Sequence, residues 1–459
     1  MTNSSLTNPG SENRIDPVVL DRPPVSADVS KTGGTGRKVR RWAAKGGFAV
    51  LDQALISGSN FIMGILLARW LIPGEYGAYS LAFSIFLLLS IIYQAILLEP
   101  MMVFGGAAEI DSLRGYLKVL TRLHWFIVFA MFAALALSAG IAHQLKPGST
   151  LPAALAGAAI AGPCVLLFWL YRRAFYLDVS VAKAAFGALF YCIILVAGSF
   201  LLQWAGWMSA FTAFVVMALA ALVTSGVLYY QLQRALPEGG TITSSGAIWR
   251  KHWGYGKWAI ASSVAGWVPA YVYYPLLASF GGMTQTADLR ALMNLVQPLA
   301  QFYAALSAVF LPYAARQRAR HPKRGLVTAA RNGTLFFMLA TMGYWAVIIV
   351  LRTQVFHLLY GGKYTNVADL IPTIAVGSVL WSGTIGASIA LRAMESPDTI
   401  FLAYCAASLV SVAAGIPLSR LAGVTGAVWA MNLSDAVALG MIIILLIQRV
   451  KRDIPLPGE

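Results

Sequence analysis

The sequence predicts an all-α polytopic membrane protein with about twelve transmembrane helices. Three observations support this. The 459 residues are 58% hydrophobic and only 11% charged, with a mean hydropathy of +0.70, which is too apolar for a protein surrounded by water. Apolar stretches of about twenty residues, the length that crosses a bilayer as a helix, recur along the chain. The basic residues fall in the short segments between these stretches.

Twelve apolar stretches account for most of the chain, and each predicted boundary carries an error of a few residues. The predicted spans are 48–71, 78–104, 119–145, 151–171, 181–202, 207–230, 255–280, 289–313, 326–351, 367–391, 400–418 and 424–447.

The segments outside the spans define the predicted domains. Residues 1–45 are polar, with scattered Pro, Ser and Gly, and cannot bury enough apolar surface to offset the entropy of ordering. We therefore expect a disordered basic cytoplasmic tail, and no cleaved secretory signal. Residues 231–254 contain PEGGTITSSG, typical of a flexible linker. They separate an N-terminal six-helix lobe (46–230) from a C-terminal one (255–448), and 449–459 form a second cytoplasmic tail.

The distribution of basic residues predicts the orientation. With a cytoplasmic amino terminus, about 28 of the 34 Lys and Arg residues lie inside, and about six lie outside. Both termini are then cytoplasmic, which requires an even number of spans. This asymmetry accounts for most of the net charge of +16, so the sequence does not indicate a nucleic-acid partner.

Two segments resemble a known family. The first hairpin, LDQALISGSNFIMGILLARWLIPGEYGAYSLAFSIFLLLS, has a helix ending in Leu67–Arg69, then Pro73, then the turn Glu75–Gly77. The second segment is LRALMNLVQPLAQFYAALSAVFLPYAARQ. They resemble the first hairpin and the eighth helix of polysaccharide flippases in the multidrug/oligosaccharidyl-lipid/polysaccharide exporter superfamily.

This resemblance implies two six-helix lobes around a central cavity that opens alternately to each side and is lined chiefly by helices one, two, seven and eight. It implies a transporter of the bacterial inner (plasma) membrane. The expected cargo is a polyprenyl-diphosphate-linked oligosaccharide used in exopolysaccharide or O-antigen biosynthesis. Expected partners are this lipid-linked substrate, membrane lipids and, as a further candidate, the polysaccharide polymerase machinery.

The candidate cavity residues are polar or aromatic side chains on the implied cavity helices. On helix eight, four of them fall on one narrow stripe, so they face either a wet cavity or another helix through interhelical hydrogen bonds. Arg69 and Arg290 suit a diphosphate or an acidic sugar, or else pair with Glu75 or Asp288. Aromatic side chains on helix seven either stack on sugar rings or pack. The candidates are Asn60, Arg69, Trp267, Tyr271, Arg290, Asn294, Gln297 and Gln301.

Two carboxylates are candidates for ion coupling. Asp52 lies within the first span and Glu99 beside Pro100 in the second; as neighbours they would raise each other's pKa and favour proton uptake. The alternatives are that Asp52 reaches the cytoplasmic interface and that Glu99 only ends its helix. His124 and Asp435, isolated in spans three and twelve, are interpreted as helix contacts by default.

Composition and motifs also limit the classes of function. No GxxxxGK[ST] phosphate-binding loop occurs, so ATP chemistry is not encoded, and the three cysteines lack metal-ligand spacing. We expect no cofactor, no metal and no catalytic residue. An ion-coupled multidrug antiporter of the same superfamily is the nearest alternative. A membrane polysaccharide polymerase is a weaker one, because the predicted outer loops are short.

Overall fold

We analysed a computed structural model, which describes residues 34–105, 110–177, 179–237, 244–394 and 396–452. Within these ranges all the regular elements are helices, and the described residues from Lys45 onward belong to one compact unit. The chain is thus an all-α, multi-pass membrane protein, as predicted. Residues 1–33 and 453–459, most of the two predicted tails, lie outside the described residues, as do 238–243 of the predicted linker.

Fourteen α-helices are described, together with one π-helical and one 3₁₀ segment. The helices are α1 (Gly34–Trp70), α2 (Pro73–Tyr93), α3 (Glu99–Gly105), α4 (Ile110–Leu145), α5 (Leu151–Ala174), α6 (Val181–Trp204), α7 (Ala210–Ala235), α8 (Ser245–Tyr271), α9 (Tyr273–Phe280), α10 (Gly282–Arg320), α11 (Pro322–Val350), α12 (Arg352–Tyr360), α13 (Ile371–Ala393) and α14 (Pro397–Arg452). A π-helical segment (Gln94–Leu98) joins α2 to α3, and a 3₁₀ segment (Thr365–Leu370) precedes α13.

All twelve predicted spans overlap helices, although several boundaries differ. Ten described stretches are long and apolar enough to cross a membrane. One of them contains two helices, because α14 is interrupted at Gly423, where φ 56° and ψ −131° suit only glycine. α8 and α9 cover the predicted seventh span but are not among these ten stretches. If they are counted together as one crossing, the total is the predicted twelve.

Two predicted domain boundaries shift because helices extend beyond the apolar spans. α1 begins at Gly34, inside the predicted tail, since the sequence RKVRRWAAK consists mainly of good helix formers. α7 continues to Ala235 and α8 begins at Ser245, which shortens the predicted 231–254 linker. In contrast, α7 begins later than the predicted span. Ser209 and Thr212 form a capping box there, which leaves Trp207 outside the helix.

Each lobe is built around one central helix. In the N-terminal lobe α5 lies at the centre, against α2, α4 and α7. In the C-terminal lobe α13 takes that place, packed on α10, α11 and α14. Between the lobes, α2 packs along α10, and α8 packs against the π-helical segment. A Cβ at Gly77 would lie only 1.8 Å from the Met283 carbonyl oxygen, so glycine lets the backbones of α2 and α10 touch.

The π-helical segment has a cause in the sequence and a partner in the other lobe. Pro100 has no N–H to donate to the carbonyl of Ile96, four residues earlier. The Ile96 carbonyl accepts a hydrogen bond from Nδ1 of His252 on α8, at 3.0 Å. Nε2 of His252 in turn accepts from the Tyr116 hydroxyl on α4, at 2.7 Å. One histidine therefore connects the lobes at this end of the bundle.

Candidate functional site: a cavity in the C-terminal lobe

A cavity of about 430 Å³ lies among α8, α9, α10, α13 and α14. Helices seven and eight of the prediction correspond to α8–α9 and α10, and both line this cavity. Helices one and two do not contribute to its described lining, because α2 packs directly on α10 and closes the space between the lobes there. α13 and α14 line it instead. Its polar and aromatic lining residues are Tyr271, Tyr274, Arg290, Gln297, Ser378, Trp381, Tyr404, Asn432 and Asp435.

Arg290 is the buried cation of this cavity, with only 5% of its surface exposed. Among the described residues no carboxylate lies within 4.0 Å of its guanidinium, so the pairing considered with Asp288 does not form. Asp288 instead accepts a hydrogen bond from Nδ2 of Asn366 at 3.4 Å. The Arg290 guanidinium lies 5.3 Å from the centre of the Phe83 ring, a cation–π contact. Phenol and phenyl groups thus surround a charge that no described carboxylate neutralises.

The other residues of the helix-eight stripe have different surroundings. Gln297 lines the cavity with Arg290, whereas Gln301 is exposed away from it. Asn294 is fully buried and donates from Nδ2 to the Tyr76 hydroxyl at 3.0 Å; Tyr76 donates to the Gly64 carbonyl at 2.9 Å. A Cβ at Gly64 would lie 2.9 Å from Asn294 Oδ1. The Asn294 amide is therefore a hydrogen-bonded contact between the lobes, the alternative considered for this stripe.

Asp435 and Asn432 also line the cavity, and neither was among the predicted cavity residues. Asn432 donates to the Thr373 carbonyl at 2.8 Å, and its Oδ1 lies where a Cβ of Gly377 would be, at 2.2 Å. The default interpretation of Asp435 as a helix contact is therefore incomplete. Its spacing of three from Asn432 puts both polar groups on one face of an apolar helix, and this pattern could have identified them.

The aromatic face predicted on helix seven is present. Trp267 stacks on Tyr271, with ring centres 5.9 Å apart, and Tyr271 stacks on Tyr274 at 6.2 Å. Tyr271 and Tyr274 line the cavity; Trp267 lies one turn away, and its buried indole N–H has no described hydrogen-bond partner. The stack therefore provides both packing and two cavity-facing rings.

Arg69 lies at a contact between the lobes and not in the cavity. Its exposed side chain is 3.4 Å from the Leu358 carbonyl, while Lys363 donates to the carbonyls of Arg69 and Leu71, at 2.7 and 2.9 Å. A cation at the carboxyl end of α1 is favourable for the helix dipole. Burial lowers the pKa of Lys363. The alternative pairing of Arg69 with Glu75 does not form either.

Glu75 accepts a hydrogen bond from the Ala210 N–H at 2.9 Å, at the start of α7. Asn60 is half-buried on α1 and is not part of the described cavity lining.

Asp52 is held in a buried cluster at the opposite end of the N-terminal lobe. Only 1% of it is exposed, and its Oδ2 accepts from Arg172 Nη1 and from the Tyr176 hydroxyl, both at 2.5 Å. Burial, reinforced by this carboxylate, raises the pKa of Tyr176 above its usual value, so the phenol stays protonated as a donor. Asp52 therefore does not reach the interface as a free charge.

The second candidate carboxylate, Glu99, is half-buried nearby. The charge of Arg173 interacts with both Glu99 and Asp52, and its Nη2 donates to Gln94 Oε1 in the π-helical segment at 3.3 Å. Two arginines thus accompany the two carboxylates. The role of Asp52 and Glu99 in ion coupling stays a prediction.

The fold, compared with known proteins, is that of a class of transporters. No family model and no curated protein matches the sequence. An inward-facing multidrug resistance MATE family transporter of the MOP superfamily is similar in structure, with a TM-score of 0.71 and 13% identity over 87% of this chain and 94% of that one. The lipid II flippase MurJ, in an inward closed conformation, gives 0.68 and 14% over 86% of each chain.

The MATE multidrug transporter DinF-BH gives a TM-score of 0.65 and 12% identity over 92% of this chain and 98% of that one. At these identities the likeness establishes the fold. The chain shares the fold of these solved transporters, and the resemblance in its first hairpin and eighth helix predicted such a fold. The narrower assignment to polysaccharide flippases is a proposal.

Proposed function

We propose that the protein translocates polyprenyl-diphosphate-linked oligosaccharide repeat units across the bacterial inner membrane, as a step in surface polysaccharide biosynthesis. The observation that carries this proposal is Arg290, a nearly completely buried cation in a cavity, with no described carboxylate within 4.0 Å. A buried charge is costly unless a partner of opposite charge compensates it. A diphosphate supplies that charge, and the planar guanidinium matches its oxygens.

The rest of the lining suits the sugar part of such a cargo. Gln297, Asn432 and Asp435 offer donors and acceptors for hydroxyl groups, and Tyr271 with Tyr274 offers ring faces for the C–H surface of a sugar. The cavity of about 430 Å³ is too small for a whole repeat unit on its carrier. We infer that it holds the diphosphate and the adjoining sugar, while the prenyl chain stays in lipid.

Deletion of the gene tests this function directly. We expect undecaprenyl-diphosphate-linked repeat units to accumulate on the cytoplasmic leaflet, and surface polysaccharide to be lost. Complementation with the unchanged chain should restore both, whereas Arg290→Gln should restore neither although it reaches the membrane in equal amount. Normal polysaccharide in the deletion strain, without accumulated intermediate, would refute the proposal.

A multidrug antiporter is the second candidate function, and Asp435 is the observation that favours it. A carboxylate in a cavity with Trp381, Tyr404 and Tyr271 can bind an organic cation through charge and cation–π contacts. Uptake of a fluorescent cation into proteoliposomes should separate the two functions. If Asp435→Asn abolishes cation transport and Arg290→Gln does not, the protein is an antiporter. If it is a flippase, Arg290→Gln should abolish the transport of lipid-linked sugar and Asp435→Asn should not.

A further inference from the structure

We propose that a groove among α4, α5 and α7 binds the phosphate headgroup of an anionic membrane phospholipid. The groove, of about 160 Å³, lies where α4 begins and where α5 and α7 end, and it shares no described lining residue with the cavity in the C-terminal lobe. This site is independent of the cargo, so it stands whether or not the protein is a flippase.

One wall of the groove is basic. Arg114, Lys118 and Arg122 follow each other at intervals of four residues on α4, which places them on one face of the helix. Arg114 donates to the Gln233 carbonyl and so joins α4 to α7 at the base of the groove. Lys118 and Arg122 are exposed, and the described lining includes no carboxylate. Such a set attracts a phosphate group at the membrane interface.

The opposite wall is aromatic and apolar. Tyr171 on α5 and Tyr229 on α7 lie with ring centres 5.4 Å apart, and Leu232 and Leu236 continue the wall along α7. Tyrosines are favourable at headgroup depth, because the ring contacts acyl carbons while the hydroxyl bonds to polar groups. The groove therefore offers positive charge beside an interfacial aromatic pair.

The surface next to the groove accounts for the acyl chains. Phe126 and Phe129, four and seven residues beyond Arg122 on the same face of α4, are both about three-quarters exposed. On α7, Leu222 is exposed and lies seven residues before Tyr229, on the same side of the helix. A charged recess flanked by exposed apolar side chains on α4 and α7 matches a molecule with an anionic head and acyl chains. A free phosphate would leave these apolar side chains unused.

The size of the groove argues against the cargo as its occupant. Pockets for drug-sized ligands measure about 300–1,000 Å³, so a groove of about 160 Å³ accepts a phosphate but not an oligosaccharide. The cargo's head is instead assigned to the larger cavity with Arg290. We therefore commit to an anionic phospholipid such as phosphatidylglycerol.

Titration of the purified full-length protein with phosphatidylglycerol or phosphatidylcholine, followed by native mass spectrometry, tests the site. We expect the first phosphatidylglycerol to bind at least tenfold more tightly than phosphatidylcholine. The double variant Lys118→Gln/Arg122→Gln should weaken that step by roughly thirtyfold and leave phosphatidylcholine unchanged. The matched control is Arg316→Gln/Arg320→Gln, two exposed basic residues four apart on α10, for which the change should stay below about twofold.

Equal losses in both double variants would mean general surface electrostatics and would overturn the site. If the double variant does not purify as a single species, the single changes keep the test valid, since Arg122→Lys should retain binding and Arg122→Gln should not. A photoactivatable phosphatidylglycerol should label peptides within 114–122 and 229–236. Displacement of that label by equimolar polyprenyl diphosphate, or by inorganic phosphate, would also refute the assignment to phospholipid.

Discussion

Arg172 and Arg290 are both almost completely buried, yet their surroundings differ. In the N-terminal lobe, Arg172 meets Asp52 at 2.5 Å and forms a buried ion pair between α5 and α1. In the C-terminal lobe, Arg290 has phenol and phenyl rings around it and a cavity beside it, with no described carboxylate within 4.0 Å. The two sites thus contain the same side chain with and without its counter-charge.

The difference separates a structural charge from one available to a ligand. A buried ion pair supplies its own compensation, and removal of one partner leaves an uncompensated charge that destabilises the fold. A buried cation next to a cavity can be compensated by water, by surrounding dipoles or by a bound anion. Changes at Arg172 should therefore affect stability, and changes at Arg290 should affect transport.

The largest effect is expected from Asp52→Ala, which leaves Arg172 buried without its partner. The free energy of unfolding should fall by about 3–5 kcal/mol, measured by thermal or denaturant unfolding in detergent. Gln53→Ala, at the exposed neighbouring position, is the control and should change stability by less than about 0.5 kcal/mol.

The double variant Asp52→Asn/Arg172→Gln should recover part of that loss, because no charge is then buried. If Asp52→Ala is as stable as the unchanged chain but abolishes transport, Asp52 acts in ion coupling as the sequence suggested, and the structural interpretation is wrong.

Arg290→Ala is expected to have the next largest effect, on transport and not on stability. Loss of charge-assisted hydrogen bonds to the cargo, worth about 1.5–3 kcal/mol, should slow transport roughly ten- to hundredfold. The transport rate of Arg290→Lys should lie between those of the unchanged protein and of Arg290→Ala, since an ammonium group keeps the charge but loses the planar pair of donors. An unfolding curve shifted as far as that of Asp52→Ala would show that Arg290 is also structural.

Gly77→Ala tests the contact between the lobes. The added methyl group would lie 1.8 Å from the Met283 carbonyl oxygen, so α2 and α10 must separate. The packed arrangement of these two helices should lose about 1–3 kcal/mol of stability. A cysteine at Ala287, buried on α10, should then react faster with a membrane-impermeant maleimide, in a background without the three native cysteines. Gly74→Ala, in the same turn but with no atom within 4 Å, is the control. Equal labelling in both variants would contradict the role of Gly77 in holding the lobes together.

Tyr76→Phe should have the smallest effect. It removes the hydroxyl group that links Asn294 to the Gly64 carbonyl, and hydrogen bonds between membrane helices contribute about 0.6 kcal/mol on average. We expect a slight increase in labelling at Ala287→Cys, well below that of Gly77→Ala. If labelling increases as much as it does in Gly77→Ala, this hydrogen bond, and not backbone packing, holds α2 and α10 together.

The turn Glu75–Gly77 illustrates how far the sequence leads. The sequence predicts the turn and its family resemblance, but not why each residue is there. In the structure Glu75 accepts from the start of α7, Tyr76 connects to α1 and α10, and Gly77 admits the backbone of α10. These partners lie between 12 and 218 residues away in the chain, and local pattern carries no information about such distant contacts.

The cavity shows the same limit. Periodicity correctly placed Arg290 and Gln297 on one face with Asn294, but that face meets both the cavity and the other lobe, and only packing divides it. The sequence alone favours a helix contact for Asp435, because a lone carboxylate in one helix does not reveal which helices will surround it.

The sequence by itself determined the membrane-spanning nature of the helices and the all-α class of fold, because hydrocarbon requires long, internally hydrogen-bonded apolar helices wherever the chain crosses it. The tertiary structure decided which buried charges are paired. Asp52 and Arg172 lie 120 residues apart in the chain, and their pairing depends on how α1 and α5 pack. Whether Arg290 has a counter-charge likewise depends on five helices that meet around it, which no single helix specifies.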